Sequence, residues 1–159
     1  MKKVFQTTFG GADAAPEDRG NCFQAAVASI FELPLEEGFD CRPYYEEEKE
    51  MVGLPMEMAP SFTAFREWLQ ARGFDCMFIQ VDPDPPQSTS LLGYHLVEAK
   101  STTLEDAHHI LVSKDGEIVH DPNPNAEEVG KWYGVYLIIP VDPAALAPKI
   151  TAEDFTTKW

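Results

Sequence analysis

Asp18-Arg19-Gly20-Asn21-Cys22-Phe23-Gln24-Ala25-Ala26-Val27-Ala28-Ser29-Ile30-Phe31 is the stretch on which the fold turns. A polar, glycine-containing turn runs directly into a strong helix former. Asn21 is suited to the N-cap, where a side-chain oxygen accepts from the free N–H groups of the first turn. Cys22 then stands at the first helical position. Apolar residues at Phe23, Ala26, Val27, Ile30 and Phe31 keep one helix face buried. The expectation is a central, mostly buried helix with a thiol at its positive end, where an anion such as a thiolate is favoured.

Around that helix, 159 residues are enough for one domain with a real core, and we expect a single domain over residues 1–159. Apolar residues make up 44% and charged residues 25%, the proportions of an ordinary globule. Twenty-seven Asp and Glu against 12 Lys and Arg argue against a nucleic-acid backbone or an anionic membrane as partner. The same excess suits a basic peptide, or simply solubility. Three cysteines without a CxxC pair form neither a disulfide framework nor a structural zinc site. No apolar run follows Lys2 and Lys3, and no stretch approaches a membrane span. A reducing cytoplasm is the expected compartment, one that keeps a thiol available.

Outward from the first helix, Val4 to Thr7 is β-prone, and Phe9 to Arg19 reads as a loop. Leu35 to Gly53 is strongly acidic and fits either a solvated helix or a loop. Pro60 to Gly73 is amphipathic, with Ser61 as its expected cap, a buried stripe of Phe62, Phe65, Trp68 and Leu69, and Gly73 as its stop. From Phe74 the period becomes that of strands: 74–81, 91–99, 109–113, 117–121 and 132–140. The prolines of Asp82-Pro83-Asp84-Pro85-Pro86 mark a loop. Residues 142–159 read as a surface tail. Helices first and a mainly antiparallel sheet afterwards make an α+β architecture.

A second stretch carries the other half of the chemistry. Ala107-His108-His109-Ile110-Leu111-Val112-Ser113-Lys114-Asp115-Gly116-Glu117-Ile118-Val119-His120-Asp121-Pro122 has the pattern of a β-hairpin with Asp-Gly in its turn. A three-residue connection pairs Ser113 with Glu117 and sets His109 opposite Asp121. A two-residue turn sets Asp121 across from Ile110 instead. In the first register a carboxylate takes one ring N–H of an imidazole and leaves the other nitrogen for a thiol. Adjacent strand residues point to opposite sides, so only one of His108 and His109 can meet Asp121.

Together, Gln…Gly-Asn-Cys-Phe-Gln-Ala-Ala opening a helix and His-Ile-Leu-Val…Asp-Gly-Glu-Ile-Val-His-Asp-Pro resemble the papain-like cysteine peptidases. The nearest likeness is to the bacterial and phage branch that includes the leader-processing peptidase domains of bacteriocin exporters. It runs from Gln6 to about Pro140 with the order Gln, Cys, His, Asp kept. The resemblance implies a papain-like fold, Cys22 as nucleophile, His109 as general base and acid, and Asp121 as the group that orients the imidazole. Gln6 would serve the oxyanion hole with the backbone N–H of Cys22. The chain departs from the pattern in the long interval from Gln6 to Cys22, where Gly10 to Arg19 forms an extra loop. In the family the histidine precedes three apolar residues, which selects His109 over His108.

The implied activity is cleavage of a peptide or amide bond in a peptide or protein substrate through a thioester acyl-enzyme. An inactive module binding a peptide or protein, or an amide acyltransferase, are the alternatives. No cofactor or metal is expected, since no ligand pair has zinc-like spacing. Cys41 and Cys76 are expected to be packing thiols, His120 to face away from the site, and His95 to be incidental.

Overall fold

The helical and alternating segments settle into three helices and one sheet in the computed structural model, which describes residues 1–11, 13–51, 55–81, 91–105 and 107–141. The helices are α1 (Cys22–Ile30), a single turn α2 (Tyr45–Glu48) and α3 (Pro60–Gln70), with short 3₁₀ turns between them. The strands are β1 (Phe74–Gln80), β2 (Tyr94–Lys100), β3 (His108–Lys114), β4 (Glu117–His120) and β5 (Trp132–Pro140). They form one antiparallel sheet in the order β1-β5-β2-β3-β4. This is the expected α+β architecture. The acidic segment after α1 is mostly helical turns, whereas Val4 to Thr7 belongs to no strand. The proline-rich loop from Asp82 and the tail from residue 142 lie outside the described residues.

Every residue of α1 after Cys22 is buried. The helix lies on β2 and β3, and the core it shares with α3 is largely aromatic. Phe23 meets Phe65 and Tyr136 edge-on, with ring centroids 4.9 and 5.4 Å apart. A smaller cluster of Val97, Ala99, Leu111, Trp132 and Val135 uses the alternate residues of the same strands.

Ser61 is not the cap of α3. Ala59 holds the N-cap position, Pro60 the first helical one, and the N–H of Ser61 is met by the Glu48 carboxylate at 2.8 Å. Proline at N1 gives up an N–H that had no helical partner, and a carboxylate from α2 serves the next one. Gly73, at φ 81°, ends the helix as expected.

The β3–β4 turn is also tighter than the three-residue connection. Lys114 pairs with Glu117, so only Asp115 and Gly116 lie between, at φ 53° and 87°. Two successive positive φ values are the signature of a type I′ hairpin turn. Asp115 is held there by a distant partner: its carboxylate accepts from the N–H of Gly93 at 2.8 Å, and its own N–H donates to the Gly93 carbonyl. The ladder then slips. Ser113 pairs with Ile118 but Val112 with His120, which leaves Val119 as a bulge.

Candidate active site

Asn21 occupies the N-cap position of α1, but no side chain caps this helix. The Asn21 side-chain oxygen instead accepts from the N–H groups of Thr7 (2.9 Å) and Thr8 (3.2 Å), and its amide donates to Thr7 Oγ1. Thr8 Oγ1 donates to the Arg19 carbonyl at 2.6 Å, and Gly10 and Arg19 form a bridge. The extra loop is therefore closed at its neck. The 16-residue step from Gln6 to Cys22 becomes a short one in space, and Asn21 is the staple that makes it so.

Cys22 is half-buried at the mouth of α1 and lines a cleft of about 1000 Å³. Gln6, His109 and Asn123 line the same cleft. So do parts of the loop from Phe9 to Arg19 and of the segment from Glu36 to Pro60.

His109, the second residue of β3, puts Nε2 2.6 Å from Asp121 Oδ1. The register that makes this contact is not the expected one. A two-residue turn alone would set Asp121 across from Ile110, on the wrong side of the strand. The Val119 bulge adds one residue and restores the side: continuing the Val112–His120 rung would bring Asp121 opposite Leu111, and His109 is its diagonal neighbour. Since β4 ends at His120, Asp121 lies beyond the last rung and reaches His109 along that diagonal. The N–H of Asn123 also donates to Asp121 Oδ1, at 2.7 Å, and fixes the carboxylate.

Burial works to lower the His109 pKa, but hydrogen bonds with Asp121 and with Cys22 outweigh it and raise it to about 9. The imidazole is thus cationic near neutral pH. With Nε2 committed to Asp121, Nδ1 is the ring nitrogen left for the sulfur. Cys41 and Cys76 differ in kind. Both are buried, and burial pushes each thiol up to about 12, so they stay protonated.

Gln6 is buried beside the cleft. Its backbone N–H donates to the Pro122 carbonyl at 3.0 Å, which ties it to the end of the hairpin that carries Asp121. Its side-chain Nε2 donates to the Thr8 carbonyl at 3.2 Å, and its Oε1 has no partner among the described residues. An amide carries two N–H groups, so one remains after the Thr8 contact.

The other histidines divide as alternation requires. His120 bonds to the Val4 carbonyl at 2.8 Å, and burial lowers its pKa. His95 is fully buried, with Nδ1 against the Gly93 carbonyl. His108 was expected only as a rival to His109, yet it forms its own pair with the buried carboxylate of Glu98. Sequence reasoning missed Glu98 and missed Asn21 as a staple. A carboxylate within the apolar run Leu96-Val97-Glu98-Ala99 of β2 is the available signal for Glu98.

Among the described residues no three His, Cys, Asp or Glu side chains gather as a cation site, and no helix is long and apolar enough to cross a membrane. No family model, no curated protein and no solved structure matches the chain.

Proposed function

We propose that the protein is a thiol hydrolase of the papain-like cysteine peptidase kind, acting on a peptide or protein. The observation that carries this reading is one imidazole held between a helix-mouth sulfur and a carboxylate. In the reacting form of the site a Cys22 thiolate faces the His109 imidazolium, and Asp121 holds the ring by its Nε2–H. The thiolate attacks the substrate carbonyl carbon, the C=O π pair moves onto oxygen, and a tetrahedral oxyanion forms. The N–H of Cys22 and the second N–H of Gln6 are its donors, each worth ~3 kcal/mol where such donors have been removed from other enzymes.

Collapse of the oxyanion breaks the C–N bond, and His109 gives its proton to the departing amine. The acyl group is now a thioester on Cys22. Neutral His109 then takes a proton from water, the hydroxide adds to the thioester, and expulsion of the Cys22 thiolate restores the pair. A reducing compartment such as the cytoplasm suits a site that depends on a free thiol.

The test compares the three thiols. Iodoacetamide near neutral pH should label Cys22 far faster than Cys41 or Cys76, as read by peptide mass spectrometry, and His109→Ala should slow that labelling sharply. Cys22→Ala should abolish hydrolysis of any peptide that the wild type cleaves. Equal, sluggish labelling of all three thiols would leave a peptide-binding module in place of an enzyme, and full activity in Cys22→Ala would show that hydrolysis does not run through this thiol.

A further inference from the structure

Beside the triad, the cleft contains a second carboxylate–imidazole pair with different chemistry. Glu98 is only 7% exposed and lies in the centre of β2, opposite Ile110 on one side and Gly134 on the other. The next rung pairs Ala99 with His109, so Glu98 and His109 lie on adjacent rungs that project from opposite faces, and both line the cleft at this end of the ladder. No side chain projects from Gly134, because the Phe78 ring covers it; a Cβ there would sit 2.1 Å from that ring. A carboxylate among Ile110, Phe78 and Tyr136 loses much of its hydration, a cost that a hydrogen-bonding cationic partner offsets well.

Its partner is a removable one. His108 bonds to Glu98 through Nδ1, yet its side chain is 57% exposed. The β2–β5 ladder slips at this point, with Glu98 opposite Gly134 but Ala99 opposite Trp132, so Tyr133 is an extra residue. The Tyr133 ring stacks on His108 with centroids 4.7 Å apart. A buried carboxylate, a flanking aromatic face and an exposed imidazole partner make a setting in which a cation on an apolar stem can take the place of the imidazole. Elsewhere the cleft is acidic too: Asp13, Glu48 and Glu105 also line it, against Lys49 as the single lysine or arginine among its described lining residues.

We infer that Glu98 is the specificity residue of the cleft, taking the lysine or arginine side chain of a peptide next to the bond that Cys22 attacks, with His108 as the lid that this side chain displaces. The stem lies along Tyr133 and Phe78, and the cationic head meets the carboxylate. An apolar side chain would be of the right size but would leave the Glu98 charge in a dry pocket with only His108 to answer it.

The inference rests on the thiol-hydrolase reading, and the experiment separates the two. The probes are peptidyl acyloxymethyl ketones carrying lysine or norleucine, either at the residue that bears the ketone or at the one before it. Each alkylates a thiolate with loss of its carboxylate, and the rate of Cys22 labelling in the full chain is read by intact mass. At one of the two positions lysine should label at least about tenfold faster than norleucine, as expected for a charge-assisted contact in a desolvated site. Glu98→Gln should bring that ratio close to one, whereas His108→Gln, which removes the competitor and keeps the carboxylate, should widen it.

A wild-type ratio near one at both positions, or a ratio that survives Glu98→Gln, overturns the inference and leaves the hydrolase reading intact. Rapid labelling of Cys22 by iodoacetamide, with neither ketone reacting, overturns it in the same way. Failure of iodoacetamide to single out Cys22 removes both.

Discussion

Neighbouring histidines at the start of β3 each hold a carboxylate, and the two pairs are built in opposite ways. In His109–Asp121 the ring is the buried member, with 12% of its side chain exposed, and the carboxylate comes from just beyond a strand end. In His108–Glu98 the carboxylate is the buried member and the ring is the exposed one. Both imidazoles are pushed towards the cation, but the leading causes differ. His108 is raised first by its hydrogen bond to Glu98, whereas His109 is raised despite a burial that pulls the other way. A buried, doubly bonded ring is suited to carry a proton between fixed atoms. An exposed ring over a buried carboxylate is suited to leave it.

The largest effect should come from destroying the geometry of the first pair without touching its atoms. Inserting one alanine between His120 and Asp121 keeps the Val112–His120 rung but carries Asp121 one position on, to the side of Ile110 and away from His109. Peptide hydrolysis should fall by ~10³-fold or more, within the range that triad members contribute. Val119→Ala keeps the residue count and should retain most activity, which separates a register effect from a general sensitivity of the bulge to substitution.

Asp121→Asn should come next, at about 10²- to 10⁴-fold in kcat. It also carries a pH signature. The folded pKa of His109 is raised to about 9, above an ordinary value near 6.5. Its contribution to stability is therefore fully present below about pH 6.5 and is lost as pH climbs through about 9. Without the carboxylate the ring should lose its proton at lower pH. The alkaline limb of the rate profile should move down, and the Tm gap between wild type and Asp121→Asn should close as pH rises from about 6.5 towards about 9.

The sequence discloses the parts of this site more readily than their register. Cys22 at a helix mouth, the apolar stripe of α3 and the five strands are written in local spacing, and each element forms within a few residues of its expected ends. The turn is not local. Lys114-Asp115-Gly116-Glu117 accommodates two- and three-residue connections alike, and the left-handed Asp115 that decides between them is held by Gly93, 22 residues away. Nor does anything in Ile118-Val119-His120 announce a bulge. The His109–Asp121 contact survives because the tight turn moves the carboxylate one residue out of phase and the bulge moves it one residue further, which returns it to the side of His109. Asn21 shows the same limit from another side. A residue with ideal capping chemistry is drawn away by Thr7 and Thr8, which no window around α1 contains.

The smallest change sharpens the second pair. Tyr133→Ala removes the ring stacked on His108, a contact worth ~0.5–1.5 kcal/mol beyond its buried area in comparable pairs. Tyr133 is half-buried and touches neither His109 nor Asp121 by any hydrogen bond, so iodoacetamide labelling of Cys22 should stay within about twofold of wild type. The His108 ring, in contrast, should lose its fixed orientation over Glu98, visible as broadened or shifted imidazole resonances in NMR while those of His109 stay put. If both histidines respond together, the two pairs form one network, and the division between a proton-carrying imidazole and a displaceable one fails at its root.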